Sequence, residues 1–256
     1  MKAENERISS YFPLLIAGRG EELLGLFDGT PRVDDPRSGR VRGRADFTAF
    51  VDDSYRWLSE HRARLSSFRP TRTEGRTVVE SVLNLDSGAV SLPVAVVGEQ
   101  GAAGLSAVRV YYSMWPLTGK HRVRRPPLEV DSQIEIPDVV GRYQRALAEG
   151  SLEEVLSLFE QDGYAREPAG AGYVHRGPEE LREFYGGLFD IGPIRLGHCA
   201  VTDDGVCCCI EYVMSGRWGG MELEPQGGIA VYERSPGGLL AAARIYDDIN
   251  VEGQEA

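Results

Sequence analysis

Cysteine is scarce in this chain. There are four in 256 residues, all in the second half, and three are consecutive as Cys207-Cys208-Cys209. Neighbours in an extended strand point to opposite faces, so these three cannot converge on one metal, and packing is their expected role. Histidine is equally sparse, with four residues and none set among carboxylates at metal-ligand spacing, so no metal is expected. No P-loop occurs, and the glycines of Ala102-Ala103-Gly104 and Gly219-Gly220 lack the strand-to-helix setting of a phosphate cradle. The expected cofactor set is therefore empty. Positive charge is in deficit, 28 Lys and Arg against 39 Asp and Glu for a net charge of −11, which argues against a nucleic-acid partner. The one basic run, Lys120-His121-Arg122-Val123-Arg124-Arg125, precedes Pro126-Pro127 and reads as a solvated linker. No stretch approaches the roughly 20 apolar residues of a membrane span, and Met1 to Arg7 lacks the apolar region of a signal peptide. No membrane partner and a cytoplasmic location are expected.

What the chain does have is a message written twice, about 132 residues apart. Tyr11, Ala17-Gly18 and Leu23-Leu24-Gly25-Leu26-Phe27 return as Tyr143, Glu149-Gly150 and Val155-Leu156-Ser157-Leu158-Phe159. The acid-proline pair Asp35-Pro36 returns as Glu167-Pro168, Arg42-Gly43 as Arg176-Gly177, Glu80 as Glu211, and Arg109-Val110-Tyr111 as Arg244-Ile245-Tyr246. A spacing this long is duplication of a whole domain, since solenoid repeats run roughly 20–50 residues. The expected organisation is domain 1 over 1–117, a linker over 118–134, domain 2 over 135–251 and a tail over 252–256.

Each repeat gives the same order of elements. Apolar residues at helical spacing predict helices over 4–17 and 137–149, ending at Gly18 and Gly150. Ser151-Leu152-Glu153-Glu154 is a capping-box pattern for a short second helix, Val155 to Phe159, whose place in repeat one is Glu21 to Phe27. A short strand carrying Asp35 or Glu167 and a turn come next, then a third helix over 45–61 and 178–189. Period-two alternation predicts strands over 77–85, 90–97 and 105–113, and over 196–202, 206–214, 221–233 and 239–248. Asp203-Asp204-Gly205 and Ser235-Pro236-Gly237-Gly238 read as hairpin turns. Helices followed by an antiparallel sheet make an α+β layer arrangement.

That order resembles a known family, as do the segments Gly141-Arg142-Tyr143-Gln144-Arg145-Ala146-Leu147-Ala148-Glu149-Gly150, Glu167-Pro168 and His175-Arg176-Gly177-Pro178-Glu179-Glu180-Leu181. They are similar to the SnoaL-like branch of the nuclear transport factor 2-like (ketosteroid isomerase) superfamily, over residues 1–117 and 135–251. The resemblance implies two tandem cone-shaped domains, each a curved antiparallel sheet wrapped around helices, with a hydrophobic pocket open at one end. It implies no single reaction, because relatives include isomerases, polyketide cyclases, epoxide hydrolases and pure binding modules. It also implies contact between the two sheets, as an intramolecular pseudo-dimer, or a homodimer.

Candidate residues follow from chemistry and from the resemblance together. The resemblance points Glu167, and its counterpart Asp35, into the cone, where a carboxyl loses hydration and its pKa rises; Asp34 is an alternative to Asp35. Tyr143 occupies the place of an oxyanion-hole tyrosine, with a core ring as the competing reading. Glu211 in an apolar strand and Arg244 behind Ala241-Ala242-Ala243 are costly alone, so they are expected to meet, with Gln226 in reach; a structural ion pair and a catalytic one both fit. Repeat one keeps that pair as Glu80 and Arg109. Tyr246 shares the face of Arg244, and His198, Tyr212 and Trp218 are further ligand contacts. The aspartate that helps stabilise an enolate in ketosteroid isomerase, an example familiar from general enzymology, would fall near Leu92 and Gly228, which disfavours steroid isomerisation. Two functions are expected to compete. One is a cofactor-independent acid–base enzyme of isomerase, cyclase or epoxide hydrolase type on a small hydrophobic molecule, catalysed by Glu167, Tyr143, Glu211 and Arg244. The other is a noncatalytic ligand-binding or scaffold protein.

Overall fold

A computed structural model describes residues 7–249. The expected tail, residues 4–6 of the first helix, and the domain end at 250 and 251 lie outside the described residues. The chain divides into two compact units, Met1–Gly119 and Lys120–Ala256.

In the first unit a 3-10 turn, Ile8–Ser10, runs into α1 (Tyr11–Ile16), and α2 (Gly20–Leu24) follows. β1 (Arg32–Asp35) and β2 (Gly39–Arg42) form a hairpin before the long α3 (Gly43–Glu60). Phe47, Phe50, Val51, Ser54 and Leu58 are the buried residues of α3; their three- and four-residue spacing is the stripe a helix needs to lie on a sheet. β3 (Arg64–Thr73), β4 (Arg76–Leu85), β5 (Val90–Gln100) and β6 (Leu105–Tyr111) complete the sheet, and α4 (Trp115–Thr118) closes the unit.

The second unit repeats this plan as α5 (Asp138–Glu149), α6 (Leu152–Ser157), β7 (Phe159–Arg166), β8 (Val174–Arg176), α7 (Gly177–Ile191), β9 (Leu196–Asp203), β10 (Cys207–Trp218), β11 (Met221–Arg234) and β12 (Leu240–Tyr246). Gly150 ends α5 at φ +68, a left-handed conformation that glycine adopts without steric cost. The capping box behaves differently from expectation. The Ser151 hydroxyl makes no cap bond, α6 begins at Leu152, and Phe159 already belongs to β7.

Strand order is β2-β1-β6-β5-β4-β3 in one unit and β8-β7-β12-β11-β10-β9 in the other, so the two sheets share one topology. The expected antiparallel sheets are in fact mixed, because β1 runs parallel to β6 and β7 parallel to β12. The first strand of each β-hairpin, β1–β2 and β7–β8, lies along the last strand of its sheet in the same direction. Both turns read from glycine and aspartate are present, with Asp204 Oδ1 accepting from the backbone N–H of Val206 and Cys207 in one and Ser235 N bonded to Leu239 O in the other. β3 escapes the alternation pattern, since it is an edge strand whose Arg64, Ser66, Ser67 and Arg69 are exposed.

Each unit has its own core between helices and one sheet face. Tyr11, Phe47, Leu83, Leu92 and Val96 belong to the first, and Tyr143, Leu181, Ile210, Tyr212 and Tyr232 to the second. The basic run is not the solvated linker it resembles. It belongs to the second unit, where Gly227 N donates to Arg124 O at 3.0 Å and Asp131 N to His198 O at 2.9 Å. Glycine makes this docking possible, because a Cβ at Gly227 would lie 2.8 Å from Pro127 and one at Gly197 would lie 2.6 Å from Val130. Gly227→Val is therefore expected to displace Pro126-Pro127, to speed tryptic cleavage at residues 122–125 tenfold or more, and to cost about 1–3 kcal/mol in urea unfolding. Unchanged proteolysis would show that the strip does not depend on this contact.

Candidate active site in the second unit

The inner face of the second sheet is set by alternation. Ile210 and Tyr212 of β10, Ala230 and Tyr232 of β11 and Ala243 of β12 all join the core, so Tyr212, Tyr232, Ile245 and Asp247 share one face. That face and the helices leave a cup of about 260 Å³, its wall formed by Tyr143 and Leu147 of α5, Phe184, Tyr185 and Leu188 of α7, and Met214 and Trp218 of β10. Glu167 and Pro168 line it from the turn after β7, and His121 reaches it from the docked strip.

Four polar arrangements surround this space. Tyr212 Oη donates to Asp247 Oδ2 at 2.5 Å. Asp247 is half-buried, and loss of hydration pushes its carboxyl up to about 6; the Tyr212 hydrogen bond opposes that rise and the Asp248 carboxylate beside it adds to it. Gly228 gives this pair its room, since a Cβ there would lie 2.7 Å from both Asp247 Cβ and Tyr212 Oη. Glu167 Oε1 and His175 Nε2 are 2.6 Å apart, and the imidazole stacks on Phe184 with ring centroids separated by 4.3 Å. The hydroxyls of Tyr143 and Tyr185 meet at 2.6 Å, while Gln144 Nε2 donates to Tyr232 Oη at 2.8 Å. At the strip, His121 Nδ1 lies 2.9 Å from Asp248 Oδ1, and Arg122 N donates to Asp248 Oδ2 at 2.9 Å.

These environments divide the groups by proton chemistry. Burial, reinforced by neighbouring polar groups, holds the phenols of Tyr143, Tyr212 and Tyr232 well above their ordinary value of 10, and burial likewise raises that of Tyr185. The tyrosines thus remain protonated donors across the physiological range. Asp247, poised near 6, exchanges a proton close to neutral pH.

The structure gathers only some of the expected residues. Glu167, Tyr143, Tyr212 and Trp218 line the cup. Glu211, Arg244 and Tyr246 are buried on the opposite sheet face, so they do not join Glu167 and Tyr143. Arg244 Nη1 donates to Glu233 Oε2 at 2.6 Å and to Tyr164 Oη at 3.3 Å, and the guanidinium of Arg166 stacks over Tyr246. The first unit repeats this: Arg109 Nη1 donates to Glu99 Oε1 at 2.8 Å, and Glu80 is buried on the same outer face. Register sets Arg244 opposite Val231, two residues from Glu233, and Glu211 opposite Ile229 on that same outer face, so the pair expected from the sequence stands apart from the cup. Gln226 is buried near the middle of β11, opposite Met214, and is not among the residues of the cup lining. His198 instead lines a separate groove with Arg145 and Arg195; its Nε2 is 3.3 Å from Gln144 Oε1, and burial lowers its pKa.

Asp35 is buried, but its Oδ1 accepts from the backbone N–H of Arg37 and Ser38, both at 2.9 Å, which is the work of a turn-forming aspartate. Register also shows how the first unit differs. Gly98 stands where Tyr232 does, with Ile8 packed against it, Ser81 replaces Tyr212, and the core residue Tyr112 replaces Asp247. The cysteines are free, and burial pushes the Cys208 thiol up to about 12, consistent with packing. Among the described residues no group of three His, Cys, Asp or Glu is arranged to hold a metal ion, and no helix is long and apolar enough to cross a membrane.

The second unit is thus an α+β domain with helices over one face of a six-stranded mixed sheet and an apolar cup edged by polar groups. Residues 140–242, within the second unit, match the SnoaL-like domain family, and the shared topology of the two sheets makes the chain a tandem of two such α+β domains. No curated protein matches the chain. Among solved structures it is similar to the epoxide hydrolase/cyclase-like enzyme SalBIII of pyran ring formation in polyether salinomycin (16% identity, 44% of this chain and 93% of that one, TM-score 0.37). Others are a ketosteroid isomerase-like protein from Catenulispora acidiphila in complex with trimethylamine (18%, 44% and 86%, 0.37) and an NTF2-like protein of unknown function from Cytophaga hutchinsonii (14%, 45% and 94%, 0.35).

The raised pKa of Asp247 has a stability consequence. Asp247 is near 6 when folded and about 3.9 when unfolded, so its favourable contribution is complete below about pH 4 and is lost as pH rises through about 6. Asp247→Asn removes that loss. The variant's stability relative to wild type should increase by on the order of 1–2 kcal/mol between pH 4 and pH 7 in urea unfolding, and a difference independent of pH would show a well-hydrated carboxylate.

Proposed function

We propose that the second unit is a cofactor-independent acid–base catalyst, of isomerase, cyclase or epoxide hydrolase type, acting on a small and largely apolar molecule held in the cup. The observation that carries this reading is Asp247, a carboxyl with a value near 6 bonded to Tyr212, in the same cup as the Glu167–His175 pair. In its ionised form Asp247 accepts a proton from carbon, hydroxyl or water, and in its neutral form it returns one. Tyr212 keeps the carboxyl oriented. Glu167 is the second acid, with His175 fixing one of its oxygens and the other left for substrate or water. The Tyr143–Tyr185 pair supplies a neutral donor, because one hydroxyl donates to the other and the second proton is available to an oxygen that develops negative charge. The apolar wall limits water, which strengthens each of these interactions. Glu211 and Arg244 have a structural role here, away from the reacting atoms.

One observation favours the competing reading of a noncatalytic binding protein: Tyr143 and Tyr185 already satisfy each other at 2.6 Å. The two readings part on mutation. Under catalysis, Asp247→Asn and Glu167→Gln should each lower kcat by about 10²–10⁴, far beyond any accompanying change in ligand affinity, and the wild-type rate should rise with pH through an inflection near 6. Turnover that survives both substitutions would leave binding as the function.

A further inference from the structure

Six aromatic rings face the cup, from Tyr143, Phe184, Tyr185, Tyr212, Trp218 and Tyr232, and no lysine or arginine lines it. Apart from its tyrosines, its ionisable lining residues are Glu167, Asp247 and His121. Each histidine at the cup stands against a carboxylate, His175 against Glu167 and His121 against Asp248. Glu167 and Asp247 outnumber His121, so with both carboxyls ionised the lining carries net negative charge whether or not His121 holds a proton. A carboxylate or phosphate ligand would enter against that charge with no cation to receive it. A neutral hydrocarbon would fill the volume but offer the carboxylates no compensating charge.

An alkylammonium group meets both demands. Its methyl or methylene groups bury against the rings, its charge is attracted to their negative faces, and Asp247 and the unpaired oxygen of Glu167 lie at the same cavity. From this juxtaposition of rings and carboxylates we infer that the cup selects a small amine carrying alkyl substituents, a tertiary or quaternary ammonium ion, as its ligand class. The inference rests on the reading of the cup as the binding site and narrows the apolar molecule proposed above to a cationic one. About 260 Å³ is small against the roughly 300–1,000 Å³ of common ligand cavities, which favours a compact head group over an extended chain.

The test compares choline with 3,3-dimethylbutan-1-ol, its uncharged carbon isostere, on the full chain at pH 7.5. Binding is read by calorimetry and by the indole N–H resonance of Trp218, identified by its loss in Trp218→Phe. Choline should bind at least tenfold more tightly than the alcohol and shift the Trp218 resonance. Asp247→Asn should bring the two affinities to within about threefold. Phe184→Leu, which leaves every charge in place, should weaken choline several-fold more than the alcohol. Equal affinities in the wild type, or a choline preference that survives both substitutions, would overturn the amine assignment. A shift of the Trp218 resonance by the alcohol alone refutes the cationic class while the cup remains the binding site. No shift with either compound refutes both.

Discussion

The hydrogen bond from Tyr212 to Asp247 is the constraint around which the second unit is arranged. A carboxyl at the end of a strand ordinarily turns to water. Here the period-two geometry of β12 puts Asp247 on the same face as Ile245, under a wall of aromatic rings, and the Tyr212 hydroxyl becomes a compensating donor. Two tightly drawn features let this happen. β11 must carry glycine at position 228, because any larger residue would occupy the space of the pair, and β10 must keep its alternation unbroken from Ile210 to Tyr212 to present the phenol inward, the irregularity beside it falling on Cys199 of β9. The result is a carboxyl whose proton affinity is matched to neutral solution by loss of hydration.

Much of this architecture was legible in the sequence because duplication multiplies weak signals. Tyr11 and Tyr143, the two acid-proline turns and the two Arg-x-Tyr strands together delimit the repeats, α5 follows from apolar spacing, and α3 and α7 follow from the shared order of elements. β3 was not legible, since an exposed edge strand with Arg, Ser and Pro has no buried face to create alternation. The parallel pairing of β7 with β12 was hidden for a different reason: partner choice between distant strands leaves no local mark.

The candidate site was read less well, and the physical reason is orientation. A buried Glu211 and Arg244 announce themselves as costly groups in apolar strands, but cost does not say which sheet face bears it, and their face is the outer one. Asp247 carried the opposite signal. It is one of two adjacent aspartates at a strand end, where polarity looks unremarkable, yet counting in twos from Ile245 turns it inward. His121 was hidden inside a basic stretch whose composition matches a hydrated connector. Glu167 and His175 stand eight residues apart, and only the turn between β7 and β8 brings their side chains within 2.6 Å.

The two halves also show how a copied fold can be kept while its interior diverges. Ile8 against Gly98, and Tyr112 in the place of Asp247, give the first unit a conventional core around the same framework. The strip from Lys120 to Ile136 bears on how such a chain can be taken apart. The second repeat as read from the sequence starts at residue 135, so a dissection guided by repeat boundaries would start the second half there. That fragment would lack the histidine facing Asp248 and would uncover the bare backbone at Gly197 and Gly227, so an autonomous second half has to begin at the strip and not at the first recognisable helix.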